Sequence, residues 1–211
     1  VNPQLPNERD EDYIRRFIAQ NDTLTIPSIV FPRWFRSSFG GCELKPIESW
    51  FKKWQQDTRQ PGDYLFVPPV ESREDGAGRL IVRKDKYNNE FPKGFPLEQV
   101  QMVLICPNGH ISDIPWDKYF AFKLDAQRNG RRLTGDSYSD LFTSNVNTCN
   151  NGQPHKLQWI PNRNNPESYG TLKCSCCGES VSMEGIMNIR PRCQGEKPWI
   201  GNPQSNQHAK E

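Results

Sequence analysis

Cys174-Ser175-Cys176-Cys177-Gly178 is the densest cysteine run in the chain. Cys174 and Cys177 are separated by two residues, a spacing that lets one tight turn bring both sulfurs to a single ion, and Gly178 offers the positive φ such turns need. One pair supplies half of a tetrahedral zinc site, so the other donors must come from elsewhere. Six of the seven cysteines fall between Cys106 and Cys193. Cys106, Cys149, Cys174 and Cys177 are the expected zinc ligands. Cys193 and His110 are the alternates, and Cys176 can replace Cys177 because both sit in the same turn. Cys106-Pro107-Asn108-Gly109-His110 is itself a candidate knuckle, although His110 can equally be a histidine that holds its own loop. Cys42, isolated from the rest, reads as an ordinary buried thiol, and His155 and His208 read as exposed and uninvolved.

Composition explains why an ion would matter. Only 34% of the 211 residues are hydrophobic, below the usual globular share, while 18 prolines and 15 glycines favour loops and short elements. Six tryptophans and 11 phenylalanines partly offset the thin core, since each buries a large area. The net charge of +2 neither demands nor excludes a nucleic-acid partner. No apolar run is long enough to span a membrane. The start, Val1-Asn2-Pro3-Gln4, has neither an initiator Met nor the features of a signal peptide, and reads as a fragment or a processed form. Clustered cysteines without an export signal favour a cytoplasmic, metal-binding role over disulfides.

Along the chain, residues 1–25 form a polar N-terminal segment, with a short helix expected over Asp10 to Ala19. Residues 26–100 form a mixed module. It carries an amphipathic helix over 46–56, on which Ile47, Trp50, Phe51 and Trp54 share a face, and strands at Tyr64 to Val67 and Leu80 to Arg83. Residues 101–201 form the Cys-rich zinc module. There a strand over Val100 to Ile105 delivers Cys106, the strand Thr171-Leu172-Lys173 delivers Cys174, and Ser182 to Met187 can form one helical turn. Residues 202–211 read as a disordered tail. The expected fold class is α+β, an irregular assembly of short strands and small helices organised around a Cys-rich structural zinc site. The site reads as structural because no ligand set with an open fourth position is evident.

Enzyme chemistry finds little support. His110 is followed by Ile111 and Ser112, whereas a zinc deaminase needs a glutamate two residues after its ligand histidine. Neither a phosphate-binding Gly-Lys-Ser/Thr loop nor a Gly-x-Gly-x-x-Gly run occurs. Arg128, Arg131 and Arg132, expected in a polar, glycine-bearing loop, are the candidate DNA contacts, because arginines suit phosphates.

Four segments, taken in order, resemble one family. Phe31-Pro32-Arg33-Trp34-Phe35 is similar to a Phe-Pro-Arg-Trp-Leu motif. Ile105-Cys106-Pro107-Asn108-Gly109-His110-Ile111-Ser112-Asp113-Ile114-Pro115-Trp116 resembles Cys-x-x-Gly-His-Ile-x-Asp-x-x-Trp. Cys174 to Gly178 with Ser182-Met183-Glu184-Gly185, and Cys193 to Gly201, resemble the later Cys-Gly…Ser-Leu-x-Gly and Cys-x-Gly-x-x-Pro-Trp-Leu-Gly stretches. These are motifs of DrmB, the accessory protein of the DISARM anti-phage defence system, and they cover roughly residues 26–201. The resemblance implies a non-catalytic zinc protein that assists a DrmA-like superfamily 2 helicase in engaging foreign DNA, and a chain that is part of a longer protein. It departs from the family after Phe35: the family's first cysteine pair is matched by Cys42 alone, so a second metal site near residues 36–45 is not expected.

Overall fold

The computed structural model describes residues 30–38, 42–58, 66, 69–84, 86–143, 148–149, 152–162 and 168–198. The helix expected over Asp10 to Ala19, the C-terminal tail, and the strand expected at Tyr64 to Val67 except Phe66 lie outside these residues.

The fold is α+β, with few helices and short antiparallel strands. Strands β1 (Trp34–Ser37) and β2 (Leu44–Pro46) lead into helix α1 (Ile47–Thr58). They are followed by β3 (Val70–Glu71), β4 (Val82–Lys84), β5 (Glu90–Pro92), β6 (Phe95–Gln99), β7 (Val103–Ile105) and β8 (Ile111–Asp113). Helix α2 (Trp116–Arg128) precedes β9 (Leu157–Ile160), β10 (Thr171–Cys174) and β11 (Ser180–Ser182). One sheet has the order β2-β1-β6-β3 and a second the order β11-β10-β9, while β4-β5 and β7-β8 are hairpins. The two sheets are stitched together beside Cys42. Its carbonyl accepts the Trp159 N–H at 2.8 Å, and Glu43 bridges to Gln158.

Two cores result. The smaller contains Phe35, Trp50, Trp54, Phe66 and Val70, with Ile47 and Phe51 packed against it. The aromatic face expected of the first helix is therefore the face that is buried. Its indole anchors the helix, as Trp50 Nε1 donates to the Phe35 carbonyl at 3.1 Å. The larger core joins Trp116, Tyr119, Phe120 and Leu124 of α2 to Leu157, Trp159, Leu172, Val181 and Cys174. Leu44 and Val100 reach into it from the N-terminal half, and Trp116 meets Trp159 at 5.3 Å between ring centroids.

The structure differs from the sequence reading in several elements. The strand expected over Val100 to Ile105 begins only at Val103, and a longer strand, β6, precedes it. Pro96 within β6 sits where only β3 lies alongside, because pairing with β1 starts at Leu97, so its missing N–H is tolerated. Helix α2 occupies a stretch with no expected element. Arg128 is its last residue rather than part of a loop. No helix among the described residues is long and apolar enough to cross a membrane.

Candidate metal centre

Three cysteines sit on the same kind of backbone turn. At Cys106 the Gly109 N–H donates to the Cys106 carbonyl at 2.9 Å, and the Cys106 N–H to the His110 carbonyl at 3.1 Å. At Cys149 the Gly152 N–H returns to the Cys149 carbonyl at 2.8 Å, and the Cys149 N–H to the Gln153 carbonyl at 2.8 Å. At Cys174 the turn is one residue longer, with Gly178 N–H on the Cys174 carbonyl at 2.9 Å and Cys174 N–H on the Glu179 carbonyl at 2.8 Å. The closing glycines have φ of 75°, 72° and 78°, the left-handed region that a side chain would strain. At Cys106 and Cys174 the turn aims backbone N–H groups of the residues that follow at the sulfur, where thiolate charge resides.

These turns build two clusters. In the first, Cys149, His155, Cys174 and Cys177 place one donor atom each within 4.8 Å of all the others. Cys149 and Cys174 are buried, and His155 and Cys177 half-buried. β10 carries Cys174 to the site, and the Lys156 carbonyl, beside His155, accepts the Ser175 N–H at 2.9 Å, which ties the histidine's chain to the Cys174 turn. His155 Nδ1 lies 3.8 Å from Cys177 Sγ. Its ring is in T-shaped contact with Phe120 at 4.9 Å. Its Nε2 is buried without a hydrogen-bond partner, so the sulfur side is where this ring finds polar company.

In the second cluster Cys106, His110 and Cys193 are brought together, the first two half-buried and Cys193 exposed. His110 Nδ1 is 3.4 Å from both sulfurs. Cys193 accepts the Gly195 N–H at 3.3 Å, and the Ile111 N–H to Glu196 carbonyl bond of 3.2 Å holds the two segments side by side.

The thiols in each cluster compete for protons. Burial raises the Cys174 thiol, but the backbone N–H of Cys177, the His155 side chain and the backbone N–H of Cys176 outweigh it and hold the thiol down at about 6. Cys177 is pushed up to about 11, by burial first and then by Cys149 and by the neighbouring Cys174. The second cluster repeats the pattern. Burial opposes ionisation of Cys106, yet the His110 backbone, Cys193 and the Asn108 backbone bring it below the usual thiol value. Cys193 is stabilised as a thiolate by the Gly195 N–H, but burial, Cys106 and Glu196 together push it up. In each cluster one thiolate suppresses its neighbour's ionisation, and a bound cation removes that conflict by stabilising every thiolate at once.

Both donor sets fit a metal ion. Tetrahedral bonds of about 2.3 Å to sulfur and 2.0–2.1 Å to nitrogen place ligand atoms roughly 3.6 Å apart. The observed S···N separations of 3.4 and 3.8 Å lie on either side of that value.

Of the four thiols expected at one site, Cys149, Cys174 and Cys177 meet, while Cys106 belongs to the second cluster with the alternates His110 and Cys193. Cys176 is exposed and belongs to neither. His155, read as exposed and uninvolved, takes the fourth place in the first cluster. The clue to it lay in Cys149-Asn150-Asn151-Gly152, which repeats the Cys-x-x-Gly of Cys106-Pro107-Asn108-Gly109 with a histidine three residues after the glycine instead of one.

The candidate DNA contacts are largely engaged locally. Arg128 pairs with Glu179 at 2.8 Å. Arg131 reaches Asp125 at 3.4 Å and lies over the Phe122 ring at 5.2 Å. Arg132 is exposed.

A family model described as a domain of unknown function, DUF8724, matches residues 2–211, and the chain belongs to that family. No curated protein and no solved structure matches it.

Proposed function

We propose that this DUF8724 chain is a non-catalytic, zinc-organised subunit of a helicase-containing anti-phage assembly, working in the cytoplasm. Its structural zinc is held by Cys149, His155, Cys174 and Cys177. The observation that carries the zinc assignment is the complete set of four sulfur and nitrogen donors, gathered from two loops and a strand end within the larger core. Thiolate with imidazole, in fourfold number, suits zinc and disfavours the hard cations that take oxygen.

The assembly part of the proposal rests on the resemblance to DrmB. Its support is that the segments carrying the resemblance meet. Arg33 of the first segment donates from its backbone N–H to Asp113 Oδ1 at 3.0 Å and from Nε to Oδ2 at 3.2 Å. Cys106 and His110 of the second segment meet Cys193 of the last. The partner in this reading is a DrmA-like superfamily 2 helicase, with foreign DNA engaged by the complex.

A second reading, an interaction domain without direct DNA contact, draws on the commitment of Arg128 and Arg131 to Glu179 and Asp125. The test is co-purification with the helicase, elemental analysis, and DNA binding by the pair across a salt series. Zinc in stoichiometric amount with retention on the helicase supports the proposal. A folded, zinc-free chain, or one that never associates with the helicase, refutes it. Replacing Arg128, Arg131 and Arg132 by Ala separates the two readings: a shallower salt dependence favours DNA contact, and unchanged binding favours the interaction domain.

A further inference from the structure

The second cluster is short of one donor. Cys106, His110 and Cys193 supply two sulfurs and one nitrogen, and no fourth metal-binding side chain among the described residues joins them. Instead, the cluster opens onto a cavity of about 300 Å³. All three donor residues line it, together with Ile105, Phe142, Ile189, Arg190, Arg192 and Glu196. Glu196 is the carboxylate that lines the cavity, but its oxygens lie outside the group of mutually close donor atoms.

Three protein donors facing a cavity are the arrangement in which zinc keeps a place for a non-protein ligand, whereas structural sites are closed by four protein donors. Charge indicates which ligand. Two thiolates cancel the charge of Zn²⁺, so an anion in the fourth position leaves a complex with excess negative charge. Arg190 and Arg192 at the cavity wall compensate for it. Their side chains are 78% and 77% exposed, and their guanidinium groups lie at 3.8 and 3.7 Å from Asp136 and Asp140, weak pairings that an incoming anion can displace.

We propose that Cys106, His110 and Cys193 bind a second zinc ion whose fourth coordination position accepts a small anion entering from this cavity. This site is separate from the structural zinc and from any helicase or DNA role, and it does not rest on those readings.

The test uses the full chain. Elemental analysis of the reduced protein is expected to give two zinc ions per chain, and Cys193→Ala, altered at an exposed position, is expected to fold and give one. Replacing the zinc with cobalt allows the coordination sphere to be read from its visible absorption, with azide as the probe anion. Azide is expected to shift the spectrum of the wild-type protein saturably. Cys193→Ala should lose the response while keeping the azide-indifferent bands of the other site. Arg190→Gln combined with Arg192→Gln should weaken azide severalfold at unchanged metal content. One zinc per chain overturns the proposal. So does a two-metal protein whose cobalt spectrum ignores azide, because the chain would then supply the fourth donor itself. Glu196→Gln checks that case: acquired azide sensitivity in this variant would identify the glutamate as that donor.

Discussion

The two candidate metal clusters are made from nearly the same parts and placed in opposite surroundings. Both begin with Cys-x-x-Gly turns at 106 and 149, both pair a histidine with thiols, and in both one thiol is held down while its neighbour is pushed up. The Cys174 cluster has four donors and shares the larger core with Trp116, Phe120 and Leu172. The Cys193 cluster has three and borders a cavity. The same turn chemistry therefore serves two ends, and the difference lies in what the surrounding chain adds. Hydrophobic packing surrounds the first donor set, whereas the second is more exposed and lines a cavity.

The largest expected contrast comes from removing one sulfur at each site. Cys174→Ser is expected to release one metal ion and abolish the cooperative melt of residues 100–198. Binding at a structural zinc site can be worth about 10–16 kcal/mol, nearly all of it folding energy. Cys193→Ser is expected to release one metal ion while leaving the melt cooperative and close to its original temperature. Calorimetry with metal analysis reads both, and equal losses of stability would erase the distinction between the sites.

A chelator sharpens the comparison kinetically. Metal release into a colorimetric chelator is expected in two phases, with the fast phase absent from Cys193→Ala. A single phase would mean that burial does not separate the two clusters.

A smaller effect tests how the exposed cluster is braced. Arg33, the residue before β1, is tied to Asp113, three residues beyond His110, and the Asp113 side chain is only 10% exposed. Arg33→Ala keeps the backbone N–H on Asp113 Oδ1 but removes the charged Nε donor from Oδ2, and a loss of about 0.5–1 kcal/mol in urea denaturation is expected for this half-exposed arginine.

The smallest effect is a pH slope. Burial raises the Asp113 carboxyl above its ordinary value, against the opposing pull of Arg33. The folded chain therefore binds this proton more tightly than the unfolded one. The stability from this group is present at low pH and declines as pH rises from about 4 through the raised value. Comparing Asp113→Asn with the wild type over that range should show the wild type losing relative stability as pH rises, and parallel curves would count against it.

How much of this was legible in the sequence depended on how local the signal was. The Cys174–Gly178 turn and the Ile47, Trp50, Phe51, Trp54 helix face are written within a few residues, and both appear in the structure. Helix α2 was equally local, with Trp116, Tyr119, Phe120 and Leu124 at helical spacing. Charged neighbours such as Asp117, Lys118 and Lys123 and the Asn- and Arg-rich stretch that follows masked it. The division of the cysteines between two clusters could not be read locally. It depends on the β9-β10 pairing that carries His155 and Cys174 together, and on the backbone bond that lays residue 196 beside Ile111.

The Cys106-to-Cys193 pairing has a topological consequence. His110 and Cys193 lie 83 residues apart, whereas His155 and Cys177, 22 residues apart, lie wholly inside that span. The two chelates are nested closures. Entropy favours the short one first, since the longer span is nearly two doublings larger and costs roughly 1 kcal/mol more to close. Once the inner ion has pinned its loop, the outer ends have less free chain between them. In the proposed two-metal chain this connectivity favours filling the inner site first, and the outer site then closes a span that the inner ion has already shortened.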